Sequence, residues 1–186
     1  MTEQLKTRMV IKNARASYVT IFEPKAINEG DEPKYSMSII IPKSDTATIK
    51  RIEKAIENAA QNGKNTKFGS KVPANLKTPL RDGDIEREDD PAYADSYFIN
   101  ANTKLKPDVI GMDKLPLTNP TDLYSGCYVH VSVNFYPFAV SGNKGVAAGL
   151  GNVMKAKDGE PLGGTVSAEN DFADIDAEED EFDDLI

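Results

Sequence analysis

The 186-residue sequence predicts a mainly β protein: a small antiparallel barrel with one inserted α-helix, long loops and a disordered acidic C-terminal tail. Three observations carry this. Segments rich in β-branched and aromatic residues outnumber the single segment whose apolar residues recur at helical spacing. No alternating strand–helix–strand rhythm of the kind that builds a parallel sheet runs along the chain. Finally, ENDFADIDAEEDEFDDLI at 169–186 holds ten acidic residues and no basic one, too few apolar groups to pack. The length suits one domain with a self-sufficient core. We expect that domain over residues 1–160, a linker over 161–168 and the tail over 169–186.

The elements follow in order. Met9 to Phe22 is β-branched and aromatic enough for a first strand, with a bend near Ala14. Pro24 and GDEP at Gly30 to Pro33 read as a loop. Tyr35 to Ile41, YSMSIII, makes a second strand stopped by Pro42, and its three isoleucines imply burial on both faces near its end. Ser44 or Asp45 caps the one clear helix, Thr46 to Asn62, where Ile49, Ile52, Ile56 and Ala59 share a face and Gly63 suits the position after the last turn. Gly63 to Pro91 is a long loop with one short element, and Tyr97 to Ala101 returns to strand. Lys106 to Pro120, with three prolines, is a further excursion. Cys127 to Phe138 is the strongest strand, and SGNKG at Ser141 to Gly145 turns it into a hairpin with Gly145 to Val153.

Charge is strongly partitioned. The chain carries 22 basic and 30 acidic residues, and removing the tail's ten acids leaves a near-neutral, slightly basic body. Seven of the remaining acids fall between Arg81 and Asp95, whereas Asn58 to Arg81, Ser96 to Pro107 and Leu123 to Lys157 contain none. A chain segregated in this way can bind an anion despite its overall negative charge.

The strand faces indicate which anion. In CYVHVSVNFYPF the residues Cys127, Val129, Val131, Val133 and Phe135 form one apolar row, leaving Tyr128, His130, Ser132, Asn134, Tyr136 and Phe138 on the other face. Aromatic rings among hydroxyls, amides and imidazole suit base stacking combined with polar contacts. The alternative is that these rings pack under a loop. Phe98, Asn100, Asn102, Lys104 and Lys106 share a face in the same manner, as in a strand lining a backbone-tracking groove or in an edge strand guarded by lysines. Lys12, Arg15 and Tyr18 add candidates on the first strand. The acid-free loop sets Phe68 among Lys64, Lys67, Lys71, Lys77 and Arg81, and Lys144 lies in the hairpin turn. Ser132 apart, the outward residues of these faces, Tyr18, Phe68 and the basic residues named here are expected contacts to a single-stranded nucleic acid, with a merely solvated loop as the alternative for the lysine-rich segment.

Other chemistry is poorly supplied. A single Cys127 excludes an internal disulfide framework and a multi-cysteine zinc site, and one histidine leaves little for a nucleophile–base pair. RDGDIEREDD lacks calcium-loop spacing, and no phosphate-binding glycine loop is present. Neither cofactor nor metal is expected. No apolar run reaches membrane-spanning length and the start holds none long enough for a signal peptide, so a cytoplasmic protein with no membrane partner is expected. The tail spaces Phe172, Ile175, Phe182, Leu185 and Ile186 among its carboxylates, a pattern suited to a basic, apolar-lined pocket on a partner.

Several stretches resemble a phage and prophage family of single-stranded DNA-binding proteins: FEPK (Phe22 to Lys25), PKYSMSIIIPKSD (Pro33 to Asp45), LRDGD (Leu80 to Asp84), YFINANTK (Tyr97 to Lys104), YSGCYVHVSVNFYPF (Tyr124 to Phe138), GNKGVAAGLGNV (Gly142 to Val153) and DGEPLGG (Asp158 to Gly164). The resemblance implies an OB-fold barrel similar to that of the phage T7 single-stranded DNA-binding protein. It also implies a non-enzymatic role coating and protecting single strands in phage replication or recombination inside a bacterial host. The acidic tail is then a recruiter of phage or host replication proteins through Phe182, Asp183, Asp184, Leu185 and Ile186, and a homodimer is compatible. The tip departs from the pattern of bacterial and T7 single-stranded DNA-binding proteins, which ends on Phe, because Phe182 is followed here by Asp183, Asp184, Leu185 and Ile186. Two rival readings remain at this point: an acidic interaction protein or DNA mimic that binds no DNA, and a metal-dependent nuclease or annealing factor built on Asp82 to Asp90.

Overall fold

The computed structural model describes residues 4–26 and 28–162. The tail, and the linker beyond Leu162, lie outside the described residues. Seven strands and two helices follow in order: β1 Arg8–Lys25, β2 Lys34–Pro42, α1 Thr46–Gly63, β3 Leu80–Asp82, α2 Gly83–Glu86, β4 Ser96–Thr103, β5 Val109–Ile110, β6 Tyr128–Val140 and β7 Asn143–Lys157. Five of the strands close a barrel. β1 pairs with β2 and β6, β2 with β4, and β6 with β7, all antiparallel, and a parallel contact between β4 and β7 completes the ring. This is the five-stranded Greek-key barrel of an OB-fold. β3 and β5 are short additions to β4 and β7.

The alternation expected for the strongest strand holds. Val129, Val131, Val133 and Phe135 of β6 are fully buried in the barrel with Ile11, Ile21, Met37, Ile39, Ile41, Ile99 and Val153. Each such side chain contributes about 1.5–3 kcal/mol on leaving water. Ile40, between two core isoleucines, points outward and is nonetheless buried, because Tyr93 and Phe98 cover it as a second small cluster joined by Leu162. That is the two-faced burial the isoleucine run implied.

β1 bends by bulging rather than smoothly. Its register with β6 slips between Ile11 and Ala14, where Asn13 has φ 57°, and its register with β2 slips on both sides of Thr20. α1 begins at its expected cap, with Asp45 Oδ1 accepting from the Thr48 amide, and buries Ile49, Ile52, Ile56 and Ala59. Gly63, expected just beyond the helix, is its last residue. A β-carbon there would stand 2.6 Å from Pro137 Cβ and 2.7 Å from the Phe68 ring, so the glycine permits close approach.

After β7 the chain crosses back over the barrel as a strap. Tyr124 Oη lies 3.1 Å from Asp158 Oδ1 and 3.0 Å from the Gly159 carbonyl, and Leu162 N–H donates to the Ser125 carbonyl at 2.9 Å. Lys155 pairs with Asp158; its ammonium, then the Tyr124 hydroxyl, holds the Asp158 carboxyl below the usual carboxylate range. No helix among the described residues is long and apolar enough to cross a membrane.

Candidate nucleic-acid interface

The outer face of β2 and β4 presents a polar row. Ser36 is paired with Asn102 and Ser38 with Asn100, while the next pair along, Ile40 and Phe98, is apolar and covered. Cross-strand partners share a face, so hydroxyls and amides stand side by side as the floor of a groove of about 830 Å³. Tyr18 and Arg87 wall one side, and Lys25, Lys34 and Lys104 line it with Asp31 and Glu32.

Tyr18 stands in the β1 bulge with φ 47° and its residue 60 % exposed, a ring held out to solvent rather than packed. The Arg87 guanidinium lies 5.6 Å from the centroid of Tyr18, 5.7 Å from Tyr93 and 5.6 Å from Phe98. A planar cation against three rings is a stacking surface in its own right. Its position is set by the acidic run. Asp82 caps α2 through the Asp84 amide, and the Arg87 amide closes the helix on the Gly83 carbonyl. Asp84 accepts from the Asp95 amide at 2.9 Å, and Lys43 bridges Asp82 and Asp84 at 2.8 and 2.7 Å. Hydrogen bonds to Asp82 and then Asp84 raise Lys43 above the ordinary lysine value, and the Lys43 bond followed by that from Asp95 lowers Asp84. These carboxylates clamp a short helix. Among the described residues no group of three or more His, Cys, Asp or Glu side chains is arranged to hold a metal ion.

The amide row continues past the groove. Asn102 faces Gly149 across the parallel junction, and Gly149 faces Asn134 of β6. A β-carbon on Gly149 would lie 3.7 Å from the Tyr136 ring, so bare glycine is all that separates the groove from the outer face of β6. Tyr136 there is 41 % exposed and Phe138 half-buried. Asn134 accepts from Thr7 Oγ1 at 2.8 Å, and His130 Nδ1 accepts from the Asn13 amide at 3.0 Å. At the hairpin tip Lys144 is exposed, and Lys77 Nζ donates to Asn143 Oδ1 at 3.0 Å.

The structure thus brings Tyr18, Asn100, Asn102 and Lys104 into one groove and sets Asn134, Tyr136 and Phe138 on the adjoining face, whereas Lys144, paired with Ala139, lies at the hairpin tip on the opposite face. The open exposure expected of two aromatics is corrected. Phe98, 2 % exposed, meets Tyr93 edge-on at 5.0 Å beneath Arg87, and Phe68, 5 % exposed, packs under the end of α1. Each covers apolar surface that would otherwise be wet, Phe98 with Tyr93 over Ile40 and Phe68 against the core beneath the end of α1. Other candidates are already engaged. Arg15 donates to the carbonyls of Gly126 and Glu160 and stacks on Tyr128, which Lys157 also approaches to 4.8 Å. Arg81 pairs with Glu86 at 2.7 Å and Lys104 with Glu32 at 2.9 Å. Lys12, Lys64, Lys67 and Lys71 are exposed on loops and bulges away from the groove lining, and Lys106 lines a separate groove. Sequence reading passed over Ser36, Ser38, Lys25, Lys34 and Arg87. The parity of YSMSIII put both serines on one face, but Arg87 was hidden as the one cation inside an acidic run.

Comparison with known proteins bears on this geometry. The family model described as Enterobacter phage Enc34, ssDNA-binding protein, matches residues 7–183. Putative protein p50 of Acyrthosiphon pisum secondary endosymbiont phage 1 is 32 % identical over 181 residues, covering 94 % of this chain and 97 % of its own. Among solved structures, the single-stranded DNA-binding protein from bacteriophage Enc34 in complex with ssDNA superimposes with a TM-score of 0.75 at 29 % identity, covering 87 % of this chain and 97 % of that one. The single-stranded DNA-binding protein gp2.5 encoded by bacteriophage T7 has a TM-score of 0.59 at 16 % identity, covering 94 % and 97 %, a likeness of fold.

Proposed function

Since the chain belongs to the Enc34 phage single-stranded DNA-binding protein family, we propose that it coats single-stranded DNA by laying the strand along the Tyr18–Arg87 groove and across Gly149 onto the Tyr136 face. It acts as a binder, not as an enzyme. The observation that carries this site is the exposed Tyr18 ring and the stacked Arg87 flanking a row of side-chain hydroxyls and amides. Rings and guanidinium stack bases whatever their identity, which suits a coating protein. Ser36, Asn100 and Asn102 offer both donors and acceptors to base edges, and Lys34 and Lys104 neutralise phosphates. Each phosphate neutralised contributes a log-log salt slope of about −0.7. The remaining lysines of the acid-free loop act at longer range as an attractive field.

The test is fluorescence anisotropy of a labelled single-stranded oligonucleotide with full-length protein and the Tyr18→Ala and Tyr136→Ala variants. Weakened binding by both supports a path over both surfaces; unchanged affinity in both removes it. The finer role is replication or recombination, with Phe182, Asp183, Asp184, Leu185 and Ile186 docking partner proteins. It is supported by the apolar–acidic spacing of the tail. Against a metal-dependent reading, Asp82, Asp84 and Glu86 are engaged by Lys43, Arg81 and the Asp95 amide.

A further inference from the structure

A second groove, of about 870 Å³, runs along the other flank of β1. It is lined by Thr20, Phe22 and Lys25, by Lys106, and by Thr118, Pro120, Tyr124 and Ser125 of the loop that precedes β6. It shares Lys25 with the first groove. From Thr20 to Lys25, β1 has no strand partner on the side away from β2 among the described residues. The wall is therefore open backbone with the half-buried Phe22 ring beside it.

The corner between the two grooves is electrostatically unusual. Lys25 and Lys34 are directly opposed partners in the β1–β2 ladder. Like charges at such a position destabilise the pairing unless an anion lies between or over them. Lys25, Lys34 and Lys106 take part in none of the salt bridges found among the described residues, in contrast to Lys43, Lys104 and Lys155. Glu23 is the one acid in the second groove's lining. Asp31 and Glu32 line the first groove beside this corner, but neither forms a salt bridge with Lys25 or Lys34, and Glu32 pairs with Lys104; the corner is thus a cation pair without an ion-pair partner among the described residues, with a third cation and an aromatic ring beyond it.

We propose that the second groove is a further single-stranded DNA site, which the strand enters from the first by passing a phosphate over Lys25 and Lys34, stacking a base at Phe22 and placing a later phosphate at Lys106. This rests on the reading of the first groove as a single-strand site. It makes the footprint longer than one barrel face, and it gives Lys106, which lines the second groove and not the first, a place on the same path.

The experiment compares oligo-dT of about 4 nucleotides, near the lower limit for one OB barrel, with oligo-dT of about 12, using full-length protein and the Lys106→Gln and Phe22→Leu variants. Leucine keeps Phe22's apolar packing while removing the flat ring. The readout is the ratio of affinities for long over short oligonucleotide, together with the salt slope on the long one. The expected result is a ratio at least about fivefold lower in Phe22→Leu and a slope shallower by about 0.7 in Lys106→Gln. An unchanged ratio and slope, with both oligonucleotides still bound, would overturn the second site while leaving the first. A ratio that rises would also overturn it, by showing that the groove holds the chain's own acidic C-terminal segment in competition with DNA. Failure of both oligonucleotides to bind the wild type would remove the underlying reading, and this inference with it.

Discussion

Replacing Tyr18 by Ala separates binding from stability more cleanly than any other change in the groove. The residue is 60 % exposed and lies in a bulge, so little burial is lost with its ring. Its φ of 47° is as unfavourable for Ala as for Tyr, and that cost cancels between the two. Arg87, one of whose neighbours disappears, retains Tyr93 and Phe98 at 5.7 and 5.6 Å and stays in place. What remains is the ring's interaction with a base, about 1–3 kcal/mol, or roughly five- to 150-fold in Kd. Tyr18→Gly sharpens the comparison, because it relieves the left-handed strain while also removing the ring. It should bind as weakly as Tyr18→Ala while unfolding at an equal or higher temperature. The assay pairs anisotropy titration of an oligonucleotide with thermal unfolding of the same samples. Both variants folded and binding at wild-type affinity would refute the assignment of Tyr18 as a stacking platform.

Further expectations follow from the packing and the charges. Phe98→Ala should cost about 3–5 kcal/mol of stability, read by denaturant unfolding, since the residue is 2 % exposed and its loss leaves a cavity beneath Arg87. A small change in unfolding midpoint would mean the ring is not packed there. Gly63→Ala should destabilise by about 1–3 kcal/mol, because a β-carbon would meet Pro137 and Phe68 at 2.6 and 2.7 Å; wild-type stability would show that α1 shifts freely. The Lys43–Asp84 contact has a pH window. Asp84 is lowered in the folded protein, so its contribution is complete above its ordinary value of 3.8 and disappears as pH falls through the lower folded value. Lys43 is raised above 10.5, so its contribution is complete below that value and is lost only at more alkaline pH. Protection of the α2 amides, taken as exchange relative to the intrinsic rate at each pH, should accordingly fall at strongly acid and strongly alkaline pH, and Asp84→Asn should remove the acid limb. Truncation after residue 168 should raise DNA affinity and abolish capture of replication partners; lower affinity without the tail would contradict a competing role for it.

The barrel was legible because alternation is a local property. The run from Val129 to Phe135 declares its inward face without any knowledge of its neighbours, and the isoleucines of β2 declare two buried faces. The spacing of α1 and its Asp45 cap were equally local. The site was only half legible, since a groove is made by partners distant in sequence. Parity placed Asn100 and Asn102 on an open face but could not show that Tyr93, five residues before Phe98, folds over that ring. Nor could it show that Phe68 tucks beneath the helix that Gly63 ends. Arg87 was missed for the same reason. In the sequence it is one cation among acids, and only the folded clamp of Lys43, Asp82 and Asp84 turns it toward three aromatic rings. Lys25 and Lys34 sit in a segment whose composition reads as a turn, and their opposition depends on the register across the β1–β2 bulge.

The most direct test of single-strand binding in this groove is photo-crosslinking of oligo-dT to the full-length protein, with peptide mapping and a duplex of the same length as control. The account predicts crosslinks on peptides carrying Tyr18, Asn100 to Lys104 and Tyr136, abundant on the single strand and sparse on the duplex. Crosslinks confined to the exposed face of α1, or equal yields on duplex, would contradict it.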